Sequence, residues 1–361
     1  MTGLVVKRGV CHAVFAYDVG HSIDLEVAER SLLASERQTV RQKRRAPAHF
    51  EYQPPPLRVT REVAVLETAA GRRTQPLCEF TLYDFGAVSV AYSFALAGPL
   101  EDLPTLSYDL YGNEMLAAEA RRQLESLLGA LGGAVTRPRI ADFVEDYAIF
   151  QIEAFAGECP PAALWTTHAE TVARILRAET RPLSEQETAG AVAARLSFGV
   201  ADATFLAADA ALIYDDEPDD VRAVIEFANT QLLEMRYLDQ QLDDALERAY
   251  GLVRAREARK TGAARRVPLA ELAQLQLESA VLFEQVTNAL KLVGEQFLAR
   301  VYRLASQHFR LAEWDVSIDR KLRTLDSIYA KTADRAASRR LEVLEWIIIV
   351  LIALSTILSL K

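Results

Sequence analysis

Residues 346–360 form fifteen consecutive positions without a charge, and only Ser355, Thr356 and Ser359 among them are polar. A stretch that is apolar on every face has no stripe to turn toward water, so it belongs in a core or in lipid. As a helix it reaches about 22 Å, short of the ~30 Å that a full span needs. That deficit keeps a buried core helix open as a reading. Three features point to lipid instead. Trp346 stands at the boundary, as interfacial aromatics do. Arg335, Arg339 and Arg340 come just before it, the pattern of a cytoplasmic flank. Val343 and Leu344 lengthen the apolar stretch, and Lys361 is long enough to snorkel to an interface. The expected anchor is therefore Trp346, Ile347, Ile348, Ile349, Val350, Leu351, Ile352, Leu354, Ile357 and Leu358. Tail-first insertion would hold the chain at the cytoplasmic (inner) membrane with its bulk in the cytosol.

The helix carrying this tail starts far upstream. From Trp314, the residues Ile318, Leu322, Leu325, Tyr329, Thr332 and Ala336 recur at helical spacing, and no Gly or Pro interrupts the path to the tail. A rod of roughly 70 Å is too long for one small core to bury. Part of it must meet other chains or lipid, and Ile318, Leu322, Leu325 and Tyr329 are the expected oligomerisation stripe. Before it, Val221, Ile225, Ala228, Leu232, Met235, Leu242, Leu246, Ala249 and Val253 step by fours and threes. This heptad-like seam is broken at Asp239, which sits beside Leu238. Gly262 and Pro268 end the pattern. A second stripe follows at Leu272, Phe283, Val286, Leu290, Val293, Phe297 and Leu304, so the two helices predict an antiparallel hairpin.

The N-terminal part reads differently. "VCHAVFAY" (10–17) suits a strand, and "SIDLEVAERSLL" (22–33) has helical spacing with Ser22 or Asp24 placed to cap it. Stretches 57–68 and 78–96 are rich in β-branched and aromatic residues, and Asp84-Phe85-Gly86 is expected to turn the second into a hairpin. Residues 114–131 have a helical period that Gly132-Gly133 stops, and 146–155 reads as another strand. Helices dominate after Pro161, with 203–214 as a possible last strand. The expected fold class is α+β, in four segments. These are an α/β head at 1–160, a helical segment with a possible strand at 161–217, a long helical hairpin at 218–312, and a stalk helix continuing into one transmembrane helix at 313–361.

Few residues promise chemistry. Asp215, Asp216, Asp219 and Asp220 surround Glu217 and Pro218 in the densest charge cluster. Carboxylates at this density can hold a divalent cation. The stronger reading is a helix start, because Pro fits the first turn and acids meet the positive end of the dipole. Asp84-Phe85-Gly86 spells a kinase magnesium tripeptide, but the glycine-rich and catalytic loops that must accompany it are missing from the sequence. His12, His21, His49, His168 and His308 show no ligand spacing. Neither a cofactor nor a catalytic residue is expected. The net charge of −9 argues against a DNA-binding protein. The basic stretch with Arg37, Arg41, Lys43, Arg44 and Arg45 reads as a solvated loop, with RNA or anionic lipid as the alternative contact. Three widely spaced cysteines, Cys11, Cys78 and Cys159, make no disulfide framework and fit a reducing compartment. Leu4-Val5-Val6, interrupted by Lys7 and Arg8, is too short for a secretory signal.

The tail "SRRLEVLEWIIIVLIALSTIL" and the helix "DVSIDRKLRTLDSIYAKTAD" before it resemble the "required for meiotic nuclear division" family. The matching residues are Arg340, Leu341, Leu344, Glu345 and Trp346, with two extra residues inside the family's RLEW-like motif. The stretch "LYDFGAVSVAYSF" (82–94) resembles the family's aromatic-Asp-Tyr-Gly-Val-Val strand, with Phe85 in the tyrosine place. The resemblance implies an N-terminal α/β region, long helices, one membrane helix and self-association. It implies no catalytic residue. The expected function is a tail-anchored scaffold that meets the lipid bilayer, copies of itself and a further protein. The alternative is a CorA-like divalent-cation transport assembly, against which the missing Gly-Met-Asn loop and second span weigh.

Overall fold

The computed structural model describes residues 3–35, 54–258, 273, 277 and 296–359, with residues 34–35, 252–258, 332–345, 350 and 352–359 described as backbone only. The chain divides into two compact units: Met1–Tyr237 with Gln285–Glu313, and Leu238–Glu284 with Trp314–Lys361.

The first unit is built on a mixed sheet. In chain order its elements are β1 (Val5–Asp18), β2 (Ser22–Ile23), α1 (Leu25–Ser35), β3 (Leu57–Glu62), β4 (Leu77–Leu82) and β5 (Ala87–Pro99). Next come α2 (Leu103–Leu110), α3 (Glu114–Leu131), β6 (Val135–Thr136), β7 (Glu145–Phe155), α4 (Ala162–Trp165), α5 (Ala169–Leu176) and α6 (Glu185–Ala193). The last strands are β8 (Arg195–Leu196), β9 (Ala203–Leu206) and β10 (Ala210–Tyr214), followed by α7 (Asp219–Ala258), α8 (Gln296–His308) and α9 (Leu311–Ser359). Eight strands pair in the order β3-β4-β5-β1-β7-β10-β9-β8. Only β7 and β10 run parallel among these pairs.

Strand side chains alternate between faces, so the register divides the sheet cleanly. One face carries Cys11, Ala13, Phe15, Tyr17, Cys78, Phe80, Val90, Tyr92, Phe94, Phe150, Ile152, Phe205 and Leu212. Leu124 and Leu127 of α3, Leu106 of α2, Val172 and Ile175 of α5 and Val192 of α6 pack in the same core. Each buried side chain of this size contributes about 1.5–3 kcal/mol over leaving it in water. The other face is covered by α7, whose residues 221–231 are all buried.

Local signals explain the element ends. Asp24, not Ser22, caps α1: its Oδ1 accepts from the Val27 amide at 2.9 Å, while Ser22 belongs to β2. Asn113 caps α3 by accepting from Leu116 at 2.9 Å. The Asp84-Phe85-Gly86 turn forms as expected between β4 and β5. Gly86 has φ +100° and a Cβ there would overlap the Gly20 carbonyl oxygen, so only glycine fits. The expected single strand at 203–214 is two strands, β9 and β10, because Ala207 to Asp209 turn the chain back and Ala207 donates to Ala210 at 3.0 Å. The strand expected at 57–68 ends at Glu62; beyond it residues 63–76 form the connection to β4.

In the second unit, Leu325 of α9 is buried with Ala245 and Ala249 of α7, flanked by Leu246, Ile328 and Tyr329. Asp239, the break in the seam, carries a polar tie: Lys321 lies 2.8 Å from its carboxylate and 2.7 Å from that of Asp243, and Ser317 donates to it at 3.1 Å. Leu272, Phe283, Val286, Leu290 and Val293 of the predicted hairpin lie outside the described residues.

Candidate functional site

The face of the sheet under α7 is polar where a core face is ordinarily apolar. The register sets Arg58 beside Thr81, Thr81 beside Ser89, Ser89 beside Ala16, and Ala16 beside Glu145. A parallel row runs from Glu79 through Ala91 and Val14 to Tyr147, and Ser93 faces His12. Against these rows α7 turns Arg222, Glu226, Thr230 and Glu234, spaced by four and so on one side of the helix. All four are at most 3% exposed.

Such groups are costly to bury unless each charge meets an opposite charge or a hydrogen bond. Here they meet. Arg222 donates to Glu79, and its other terminal nitrogen lies 3.0 Å from Nδ1 of His12. Arg58 bridges the two carboxylates, 3.8 Å from Glu79 and 3.6 Å from Glu226. Ser89 donates to Glu226 at 2.8 Å. The amide of Gln151 donates to the Pro218 carbonyl at 3.4 Å, which turns its oxygen toward His12 Nε2 at 2.8 Å. The other ring nitrogen of His12, Nδ1, faces the Ser93 hydroxyl at 3.0 Å. Burial would raise the Glu79 carboxyl, but Arg222 and Arg58, with His12, hold it below the usual range. Burial likewise opposes the charge on Arg222, and Glu79, Glu226 and Asp219 keep it protonated.

A second charged group lies further along the same side of α7. Asp18, at the end of β1, is buried, and burial pushes its carboxyl up to about 7 against the opposing pull of Arg139 at 3.6 Å. Glu234 is pushed well above the usual range by burial and by Asp18, again opposed by Arg139. Glu145 accepts from Arg236; burial lifts it to about 7 while Arg236 pulls the other way. Arg139 rests 4.8 Å from the Tyr237 ring and Arg236 lies 4.5 Å from that of Phe143.

None of these residues stood out in the sequence as a site. The residues that did stand out are placed otherwise. The acidic cluster starts a helix: Asp215 accepts from the Glu217 amide at 3.0 Å, and Asp219 and Asp220 occupy the first turn of α7. Among the described residues no group of three or more His, Cys, Asp or Glu side chains gathers to hold a metal ion. The three cysteines are free and buried. Ile318 and Leu325 of the expected oligomerisation stripe are fully buried within the chain, whereas Leu322 and Tyr329 are partly exposed. The basic residues Arg41, Lys43, Arg44 and Arg45 lie outside the described residues, as do the side chains of Arg335, Arg339 and Arg340.

For the expected anchor, α9 runs unbroken to Ser359, and Trp346, Ile347, Ile348, Ile349 and Leu351 are exposed. Among the described residues no helix is long and apolar enough to cross a membrane. The side chains of Val350, Ile352, Leu354, Ile357 and Leu358 lie outside them.

The sequence of this sheet unit has a counterpart: residues 8–220 match the family described as "Uncharacterized protein MJ0711, N-terminal domain". The chain belongs to that family. It is 24% identical over 221 residues to the uncharacterized protein MJ0711 of Methanocaldococcus jannaschii, a match that covers 60% of this chain and 66% of that protein. The match thus reaches just under two thirds of that relative's length. No solved structure matches the chain. The family region holds β1 from Arg8 onward, β2 to β10 and the sheet's share of the charged seam: His12, Arg58, Glu79, Ser89, Ser93 and Gln151. It stops at Asp220, so Arg222, Glu226 and Glu234 of α7 lie beyond it.

Proposed function

We propose that this protein is a membrane-anchored scaffold whose sheet unit presents a docking body to a protein partner and whose C-terminal helix holds it in the bilayer. The observation that carries the reading is α9 itself. It continues as helix to Ser359 while four of its large apolar side chains, Ile347, Ile348, Ile349 and Leu351, are left about half exposed or more. Consecutive apolar side chains left open to water mark a surface that belongs against something apolar. The flanking Trp346 and the arginines before it suit a bilayer interface. The resemblance of this tail to the "required for meiotic nuclear division" family, with its anchoring and self-association, supports the same reading. The charged seam serves such a body by fixing how α7 lies on the sheet, and the reading assigns it no catalysis. Contact between copies would use Leu322 and the outer side of Tyr329, since Ile318 and Leu325 are already buried. No observation favours the transport alternative.

The test is fractionation of cells expressing the full chain, followed by alkaline carbonate extraction. The expected result is full-length protein in the membrane pellet after extraction, and a variant ending at Glu345 in the supernatant. Full-length protein that remains in the supernatant as a detergent-free monomer would overturn the reading.

A further inference from the structure

The turn joining β8 to β9 carries two large apolar side chains that nothing described so far uses. Phe198 is 75% exposed and Val200 96%, the two highest values among the described large apolar residues. Turn tips ordinarily carry small or polar residues, so an adjacent apolar pair there needs a reason. The turn is also held ready. Both carboxylate oxygens of Asp202 accept from it, one from the Phe198 amide at 2.8 Å and the other from the Gly199 amide. The Phe198 ring leans on Phe297 of α8, with ring centroids 5.2 Å apart. A segment ordered in advance loses little conformational freedom when a partner arrives.

The surroundings of this turn are acidic. Ala203 pairs with Tyr214 across β9 and β10, so Asp202 and Asp215 continue side by side past the last pair. Burial raises the Asp215 carboxyl, the Glu217 amide opposes it, and Asp216 and Asp202 add to the rise. Asp216 and Glu217 are exposed. Among the described residues no ion pair uses Asp202, Asp215, Asp216 or Glu217. No Lys or Arg lies between Leu196 and Val221. Arg195, just before, is turned to the Trp165 ring at 4.8 Å and to the Val192 carbonyl at 2.8 Å. This charge decides between occupants. The anionic surface of a cytoplasmic leaflet would repel it. A second copy meeting the same patch about a two-fold axis would set like charges against each other. A protein surface with an apolar pocket and a basic rim answers both features.

We propose that the β8–β9 turn is the docking point for a partner protein, with Phe198 and Val200 filling an apolar pocket whose rim sets Lys or Arg against Asp215, Asp216 and Glu217. The proposal rests on the reading of the sheet unit as a docking body; carbonate extraction tests the anchor separately, so either can fail alone. The experiment places the photo-crosslinker p-benzoylphenylalanine at position 200 of the full chain in its native host, with the half-exposed Val65 position as control. One protein is expected to cross-link from position 200 and not from position 65. That protein, once purified, is titrated against the full chain in micelles by surface plasmon resonance. Phe198→Ser with Val200→Ser is expected to weaken binding about ten-fold or more, through faster dissociation. Asp215→Asn with Asp216→Asn leaves the Glu217 amide its acceptor, and is expected to slow association and flatten its salt dependence. Val200→Ser alone decides the question should Phe198→Ser loosen the packing on Phe297. Cross-links to lipid, to copies of this chain or to nothing would each overturn the proposal. So would an affinity unchanged in the apolar variants, or an association rate that the acidic variant leaves as it is.

Discussion

Replacing Arg222 with Met is the sharpest probe of the charged seam. The side chain is 2% exposed and pairs with Glu79, whose own side chain is 13% exposed. Its removal leaves Arg58 to face both Glu79, at 3.8 Å, and Glu226, at 3.6 Å. Removing one member of a buried ion pair costs about 3–5 kcal/mol, mostly the penalty of the charge left behind. The slight exposure of Glu79 and its remaining contact with Arg58 put the expectation at the low end, about 3 kcal/mol. At this chain size that corresponds to a fall of about 4 °C in the melting temperature. The double variant Arg222→Met with Glu79→Gln removes the stranded charge, so it is expected to regain about 2 kcal/mol of the loss. Circular dichroism melts of the full chain in micelles would measure Arg222→Met, Glu79→Gln and the double variant with the wild type. If Arg222→Met melts within about 1 °C of wild type, or the two substitutions simply add, the seam is not the interdependent network described above.

Two further outcomes are expected. Leu325→Ala opens a hole against Ala245 and Ala249, which are too small to fill it, and should cost the second unit about 2–3 kcal/mol, read as faster proteolysis of the α7 and α9 region with the sheet unit intact. Asp18 binds its proton more tightly in the folded chain, about 7, than when unfolded, 3.8, so stability is complete below the unfolded value and falls as pH rises between the two. Asp18→Asn should therefore flatten the decline in melting temperature between pH 5 and pH 8, with about 4 kcal/mol as the upper limit of the effect; a decline as steep as wild type would rule out this carboxyl as its source.

Where the pattern is local, the sequence is legible. The strand at 10–17, the hairpin across Asp84-Phe85-Gly86, the helix ended by Gly132 and the helix started by Asp219 all form where their residues place them. The β9–β10 turn was missed because Ala207 to Asp209 offers none of the glycine or proline punctuation that marks turns. The seam was hidden for a different reason. Along β1, His12 and Asp18 sit at alternate positions among apolar residues, and along α7 Arg222, Glu226, Thr230 and Glu234 repeat by four. Each pattern reads as a solvent-facing side when taken alone.

What the amino-acid order determined by itself is which stretches become strands, helices and an apolar tail, since propensity, capping and hydrophobic period act over a few residues. What the tertiary structure decided is that two sides that look made for water face each other instead. Arg222 meets His12 across 210 positions of sequence. No period within one element encodes that meeting; it exists only because sheet pairing brings Glu79, Ser89, His12 and Gln151 onto one face and α7 lies across them. Burial then turns ordinary surface charges into a network in which each depends on the next.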